Sequence, residues 1–365
     1  MKTQAAVSRV GAPYPVLESL EIEHPRAGEV LVRIEASGIC HTDLGAHAGR
    51  GAGTPKPVVL GHEGAGTVEE IGEGVRTLAP GDRVVLSGSS CGICPSCRRN
   101  LPSYCHEMLP RNFGGSRMDG TSALSRDGER VFGHFFGQSS FSQYAIAPER
   151  SAVKVPADVP LEVLAPLGCG IITGAGAVIQ SLQVQPGDTI AVFGTGGVGL
   201  AAVMAARLIG AARIIAVDLR PARLELAREL GATDTLDGSR GELAAAIREI
   251  TGHGVNFTLN TTPAPEVFTQ ALECLAMRGT AGFVTAPRGP WQPAMFPMLA
   301  GGRRLQGILG GDAAPQLFIP MLIDYFRQGR LPIDRLLSFY RFEDIAAAFR
   351  DMEQGTAIKP VLRMR

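Results

Sequence analysis

One short stretch limits the possible folds of this chain more than any other: a strand, a glycine-rich turn and a helix in immediate succession. Thr189–Phe193 (TIAVF) reads as a short apolar strand, Gly194-Thr195-Gly196-Gly197-Val198-Gly199 follows, and Leu200–Leu208 has helical composition. Gly210 then closes the helix, and a second apolar strand, Arg213–Val217, ends at Asp218. The pattern G-x-G-x-x-G is weak by itself. Between a strand and a helix, with an acid 19 residues after its last glycine, it is a dinucleotide-binding fingerprint. Gly194, Gly196, Gly197 and Gly199, with Val198 between them, let the backbone approach a pyrophosphate at the positive end of the helix. Asp218 is expected to bond the adenosine ribose hydroxyls and to repel a 2′-phosphate, favouring NAD over NADP. Arg220 and Arg223 lie close by and soften that preference.

The surrounding pattern extends this unit. Pro221–Leu230 reads as a helix with Pro at its start and Gly231 just past its end. Glu242–Thr251 and Pro265–Leu275 read as further helices, and Val255–Leu259 and Thr280–Val284 as strands. Such alternation implies an α/β fold with a doubly wound parallel sheet. Residues 1–150, in contrast, carry β-alternation, as in Val30–Glu35 and Phe141–Ala147, with little helix. The shift near residues 150–170 marks a domain boundary, and 365 residues suit about two domains.

Composition narrows the class. Lys+Arg and Asp+Glu balance at 35 each, without the excess of positive charge expected of a nucleic-acid or anionic-membrane binder. A hydrophobic share of 45% excludes general disorder, and 46 glycines with 25 prolines indicate many turns. Residues 1–10 lack the apolar core of a signal peptide. Val163–Ile179 and Ile190–Ala206 are apolar runs of 17 residues broken by glycines, read here as strand–loop–helix passages through a core rather than membrane spans. A cytoplasmic location is expected.

Four of the seven cysteines, Cys91, Cys94, Cys97 and Cys105, fall within 15 residues. Two cysteines separated by two residues in a tight turn aim both sulfurs inward, so four such thiolates can surround one tetrahedral ion. Gly92 and Pro95 supply the turn chemistry. Zinc is the preferred ion; an iron–sulfur cluster is the competing reading, although here the fourth Cys follows after seven residues rather than three. A second set is scattered: Cys40, which follows the half-buried strand Val30–Ile39, His62 in Gly61-His62-Glu63, and Cys169 in the turn Gly168-Cys169-Gly170. Two Cys and one His match a catalytic zinc set with one open position, but spacing alone does not bring the three together.

These signals combine into a resemblance. Gly61-His62-Glu63-x-x-Gly66-x5-Gly72-x-x-Val75 resembles the signature of zinc-containing alcohol dehydrogenases of the medium-chain dehydrogenase/reductase superfamily. The four-Cys lobe, Cys169 and the nucleotide fingerprint stand in that family's order, and the resemblance covers essentially the whole chain. Segments such as Ser116-Arg117-Met118-Asp119-Gly120-Thr121 and Phe135-Phe136-Gly137-Gln138-Ser139-Ser140-Phe141 resemble the aryl- and allylic-alcohol branch. The resemblance implies a GroES-like catalytic domain, residues 1–165 and 311–365, around a Rossmann domain at 166–310. It implies catalytic zinc on Cys40, His62 and Cys169, structural zinc on Cys91, Cys94, Cys97 and Cys105, and NAD as the hydride acceptor.

Further roles follow from the same resemblance. Thr42 begins the proton relay, Asp43 bonds the non-ligating nitrogen of His62, and Glu63 lies behind the metal. His41, Arg223 and Lys359 join the coenzyme-binding residues, with His41 on the pyrophosphate. Many relatives carry a His five residues after the first ligand Cys; here that position is Gly45, and His47 is either the substitute or a solvated loop residue. Ser87, Phe135 and Phe136 are expected around the substrate, with core filling the plain alternative for the two phenylalanines. The expected partners are small alcohols and aldehydes, and a second copy of the chain joined through edge strands near Thr280–Val284 and Leu305–Leu309, as a dimer or tetramer. Competing functions are a dehydrogenase for formaldehyde adducts or polyols, a zinc-free quinone or enone reductase, and a non-enzymatic redox sensor.

Overall fold

The computed structural model describes residues 1–50 and 53–364. The chain divides into two compact units: residues 1–169, 314–324 and 333–365 form the first, and residues 170–313 and 325–332 the second. Residues 325–332 thus go with the nucleotide unit, which the expected division did not foresee.

The first unit is β-rich. Its central strand, Glu29–Gly38, pairs antiparallel with Glu63–Ile71, with Tyr144–Pro148 and with Lys359–Arg363. Val30, Val32 and Ile34 are buried as expected, but Leu31 on the opposite face is buried too, so the strand is covered on both faces at that point rather than half-exposed. The register decides where chemistry can occur. Gly38 stands opposite both Glu63 and Val361, so the next residues, Ile39 and Cys40, emerge beside His62. A second sheet carries the N-terminal strands Lys2–Ser8 and Val16–Ile22. The expected strand Phe141–Ala147 begins only at Tyr144; Phe141 is instead fully buried filling of the core.

The second unit is a six-stranded parallel sheet. Its strands are β1 (Thr189–Phe193), β2 (Arg213–Asp218), β3 (Asp234–Asp237), β4 (Val255–Asn260), β5 (Leu275–Phe283) and β6 (Arg304–Gly307). They lie in the order 3-2-1-4-5-6, the doubly wound arrangement in which a dinucleotide binds where the winding direction reverses. Two expectations need correction. β5 lies between β4 and β6, so Thr280–Val284 is not an edge; the edges are β3 and β6. The helix after the fingerprint, α1, spans Gly197–Ile209 and so starts three residues early, because its first turn is made of the glycines themselves.

Ile190–Ala206 is the expected strand, turn and helix, but Val163–Ile179 is not. That run consists of helical turns Leu161–Leu164 and Ala165–Gly168, a break at Cys169, then helix Gly170–Gly176 and a wide turn at Ala177–Ser181. A continuous apolar run has no period to separate strand from helix. Among the described residues no single helix is long and apolar enough to cross a membrane.

Candidate active site and metal centres

The strand pairing above brings three distant segments to one place. The sulfurs of Cys40 and Cys169, a ring nitrogen of His62 and a carboxylate oxygen of Glu63 all lie within 4.8 Å of one another. Cys40 precedes the helix His41–His47. Its backbone N–H donates to Asp43 Oδ2 at 2.9 Å, closing the first turn. The other oxygen, Asp43 Oδ1, accepts from Gly61 N–H at 3.1 Å and from His62 Nδ1 at 2.9 Å. One buried carboxylate therefore sets the helix start, the approach to His62 and the imidazole tautomer. With the proton on Nδ1, Nε2 presents a lone pair, and that atom is buried with no hydrogen-bond partner.

The electrostatics also call for a cation. Burial disfavours a charged imidazole, yet the Asp43 carboxylate and Cys40 outweigh it and hold His62 well above its ordinary value. A hydrogen bond from Cys169 draws the Cys40 thiol far down, while that same bond and burial push Cys169 far up. The two sulfurs cannot both carry charge in so dry a place without a positive partner. A soft divalent ion relieves this conflict, and two thiolates with one imidazole are the donors zinc prefers. The residues fit zinc.

Glu63 is fully buried and its carboxyl is raised to about 7 by burial, against the pull of Lys359. Lys359 Nζ donates to both Glu63 oxygens at 2.9 Å and to the Ile39 carbonyl at 3.2 Å. An ammonium has three donors, and these contacts occupy them. Lys359 is only 3% exposed, so its expected place on the coenzyme is corrected: it supports the metal set from behind. Thr42 is half-buried, with Oγ1 3.7 Å from Cys40 Sγ, and His41 is exposed.

His47 is neither a solvated loop residue nor a solvent-facing base. It ends the helix, is buried, and bonds Ser8 Oγ through Nδ1 at 2.7 Å and the Ala12 carbonyl through Nε2 at 3.1 Å. A carbonyl only accepts, so Nε2 carries the proton and Ser8 donates to Nδ1. Burial pushes its pKa down. His47→Gln should therefore leave the shape of the pH–rate profile unchanged. Its effect should appear in stability: the parent keeps His47 neutral, and so loses stability as pH falls below about 6.5, the unfolded value. That slope should weaken in the variant, as thermal melts at pH 5 and pH 8 would show.

The residues expected around the substrate differ in burial. Phe136 is half-buried and stacks on His62, ring centres 4.5 Å apart and planes 26° apart. Phe135 is fully buried and meets His62 edge-on at 5.7 Å, so it fills core rather than facing substrate. Phe113, which sequence reasoning missed, meets Phe136 edge-on at 5.0 Å. The turn holding these rings is strained: His134, Phe136 and Ser139 have φ of +57°, +52° and +55°. Left-handed backbone without glycine costs about 1–2 kcal/mol per residue. Ser139 Oγ offsets this by donating to the Val59 carbonyl at 2.6 Å and accepting from Phe135 N–H at 2.9 Å. Ser87 is buried, and its Oγ donates to the Gly168 carbonyl at 2.8 Å, bracing the turn before Cys169.

The sulfurs of Cys91, Cys94, Cys97 and Cys105 also lie within 4.8 Å of one another. Cys94 starts the short helix Pro95–Arg98. Backbone N–H groups point at these sulfurs: Cys91 N–H at Cys105 Sγ, 3.2 Å, and Cys94 N–H at Cys91 Sγ, 3.3 Å. The N–H groups of Cys97 and His106 draw the Cys94 thiol down to about 6. Such donors stabilise thiolates, the form that holds metal.

In the nucleotide unit, Gly194 has φ +87°, and a side-chain carbon at Gly199 would lie 1.9 Å from the Gly194 carbonyl oxygen. The helix can pack this tightly on the strand only with glycine there. Gly196 and Gly197, with Val198, complete the turn, and Asp218 ends β2. Asp218 Oδ2 accepts from Thr195 N–H at 2.7 Å and from Thr195 Oγ1 at 2.9 Å, and Oδ1 accepts from Arg220 N–H at 3.0 Å. Arg223 stands 4.0 Å from the same carboxylate.

A sheet built for a dinucleotide and a metal set that can polarise an oxygen are the two requirements of a metal-dependent dehydrogenase. Comparison with known proteins agrees. Residues 26–157 match the alcohol dehydrogenase GroES-like domain family, and residues 197–325 match the zinc-binding dehydrogenase family. The geraniol dehydrogenase of Castellaniella defragrans is 50% identical over 99% of this chain and 98% of its own. An alcohol dehydrogenase zinc-binding domain protein from Burkholderia ambifaria has a TM-score of 0.97 at 48% identity, covering 100% and 99% of the two chains. Benzyl alcohol dehydrogenase from Acinetobacter calcoaceticus has a TM-score of 0.96 at 42% identity, covering 100% of both chains. The chain belongs to the zinc-containing alcohol dehydrogenases of the medium-chain dehydrogenase/reductase superfamily; its cofactors are two zinc ions and NAD. The iron–sulfur and zinc-free readings fall away.

Proposed function

We propose that this enzyme oxidises flat primary alcohols, aryl or allylic, to aldehydes, reversibly and with NAD. The observation that carries the substrate class is the half-buried Phe136 ring stacked on His62 with Phe113 at its edge. An aromatic wall beside the metal donors suits an unsaturated carbon next to the hydroxyl. The relatives named for geraniol and for benzyl alcohol support the same reading.

Cys40, His62 and Cys169 would hold the zinc, which would supply a Lewis acid to lower the pKa of the alcohol hydroxyl, and NAD would supply the hydride acceptor. Thr42 Oγ1 accepts the alcohol proton and passes its own to water, since His47 is turned to Ser8 and Ala12. Asp43 keeps His62 in its metal-binding tautomer, and the Glu63–Lys359 pair keeps the buried charge balanced behind it. Asp218, already fixed by Thr195, receives the ribose hydroxyls. The four-cysteine lobe holds a structural ion. The enzyme works in the cytoplasm as a homo-oligomer joined through the edge strand β6, next to the exposed Met295, Phe296 and Leu299.

The test is a panel of alcohols with NAD and with NADP, read from the absorbance of the reduced nicotinamide. kcat/KM for benzyl alcohol or geraniol should exceed that for ethanol by about ten-fold or more, a gap that an apolar pocket supplies. NAD should be the better acceptor. A preference for polyols or for a formaldehyde–thiol adduct would overturn the substrate class.

A further inference from the structure

Gln138 is 1% exposed and belongs neither to the metal donors nor to the nucleotide turn. Its Oε1 accepts from Gly64 N–H at 3.0 Å; its Nε2 donates to the carbonyl of His62 at 3.1 Å and to that of Ser87 at 3.5 Å. The amide orientation is fixed, because a peptide N–H can only donate and a carbonyl can only accept. These bonds occur where two strands stop pairing. Glu63–Ile71 and Arg83–Leu86 are in register up to Ala65 opposite Val85. Beyond that pair, the one amide reaches both chains, satisfying groups that a third strand would otherwise have to meet.

The surroundings are shaped for it. A side-chain carbon at Gly64 would lie 3.0 Å from Gln138 Oε1 and 2.6 Å from Ser140 Cβ, so only glycine admits the contact. Ser87, whose carbonyl Gln138 bonds, donates its hydroxyl to Gly168, the residue before Cys169. Two residues back along the chain, Phe136 stacks on His62.

We propose that Gln138 is a positioning residue that fixes the Phe136 wall, the backbone of His62 and the turn before Cys169 as one piece, an inference that rests on the zinc-dehydrogenase reading of this site. The catalytic metal and the substrate wall then answer to the same buried amide. Asp43 holds the far side of the His62 ring; Gln138 holds its backbone. Without the amide, Gly64 N–H and the His62 carbonyl are left buried and unpaired, and the ligand loses one of its two anchors.

Gln138→Leu keeps the bulk and removes the bonds; Gln138→Asn keeps the amide and shortens its reach. In zinc-loaded enzyme challenged with a chelator, the catalytic ion should leave about ten-fold faster in Gln138→Leu, while the ion of the four-cysteine lobe leaves at the parental rate. With cobalt in the catalytic site, the visible absorption bands should shift. KM for benzyl alcohol should rise about ten-fold, and that for ethanol by less. If Gln138→Leu does not fold, Gln138→Asn should show the same changes at smaller size. Parental release rates from both sites, or equal acceleration of both, would overturn the inference. Should the parent prefer some other alcohol, the substrate class fails while the comparison of the two release rates still decides this one.

Discussion

Replacing Cys169 with serine is expected to lower kcat by about a thousand-fold or more. Its sulfur is one of only three zinc-preferring donors in a set where His62 Nε2 is otherwise orphaned. A hydroxyl is a poor zinc ligand beside a thiolate, and Lewis-acid polarisation is worth several kcal/mol of barrier, each 1.36 kcal/mol being a factor of ten. The nucleotide turn lies in the other compact unit, so NAD should still bind, as titration by coenzyme fluorescence would show. Metal analysis should fall from near two zinc ions per subunit to near one, with circular dichroism unchanged. Retained turnover would remove Cys169 from the site.

Cys97→Ser should instead attack stability. Between Cys91 and Cys105 the regular structure amounts to the four-residue helix Pro95–Arg98 and the turn Pro102–Tyr104, and Ile93 is exposed. None of residues 91 to 104 is buried. The ion takes the place of a core there, and its binding free energy is folding free energy. A lost contribution of about 4 kcal/mol corresponds to a drop in Tm on the order of 10 °C. A variant that melts like the parent yet is inactive would show that the two metal sites have been exchanged.

Local signals were the legible ones. Pro221–Leu230 is helical over the expected residues because Pro opens it and Gly231 closes it. Thr189–Phe193 and the glycine turn were readable because three chemical requirements coincide within a few residues. The four-cysteine lobe needs only near neighbours, so spacing sufficed; Cys40, His62 and Cys169 needed the family resemblance, since their meeting depends on strand register. What stayed hidden is what depends on packing. Gln138 stands in a segment that marks the branch, but its bonding role arises only where two strands part. His47 looked free because nothing in its neighbourhood announces Ser8 and Ala12. Lys359 looked like a coenzyme ligand because a cation's partner is set by burial, which a list of residues does not display. The strand Asp234–Asp237 is short and polar, so no apolar alternation marks it.

Lys359 has one more consequence, for how the molecule is made. Its bonds to Glu63 and to Ile39 span 296 and 320 positions of sequence. A domain usually folds as soon as it leaves the ribosome, earliest segments first. Here Cys40 and His62 emerge long before the lysine that neutralises the carboxylate beside them, with the whole nucleotide unit translated in between. The nascent half-site must therefore wait, its acid uncompensated, until synthesis has nearly run its course.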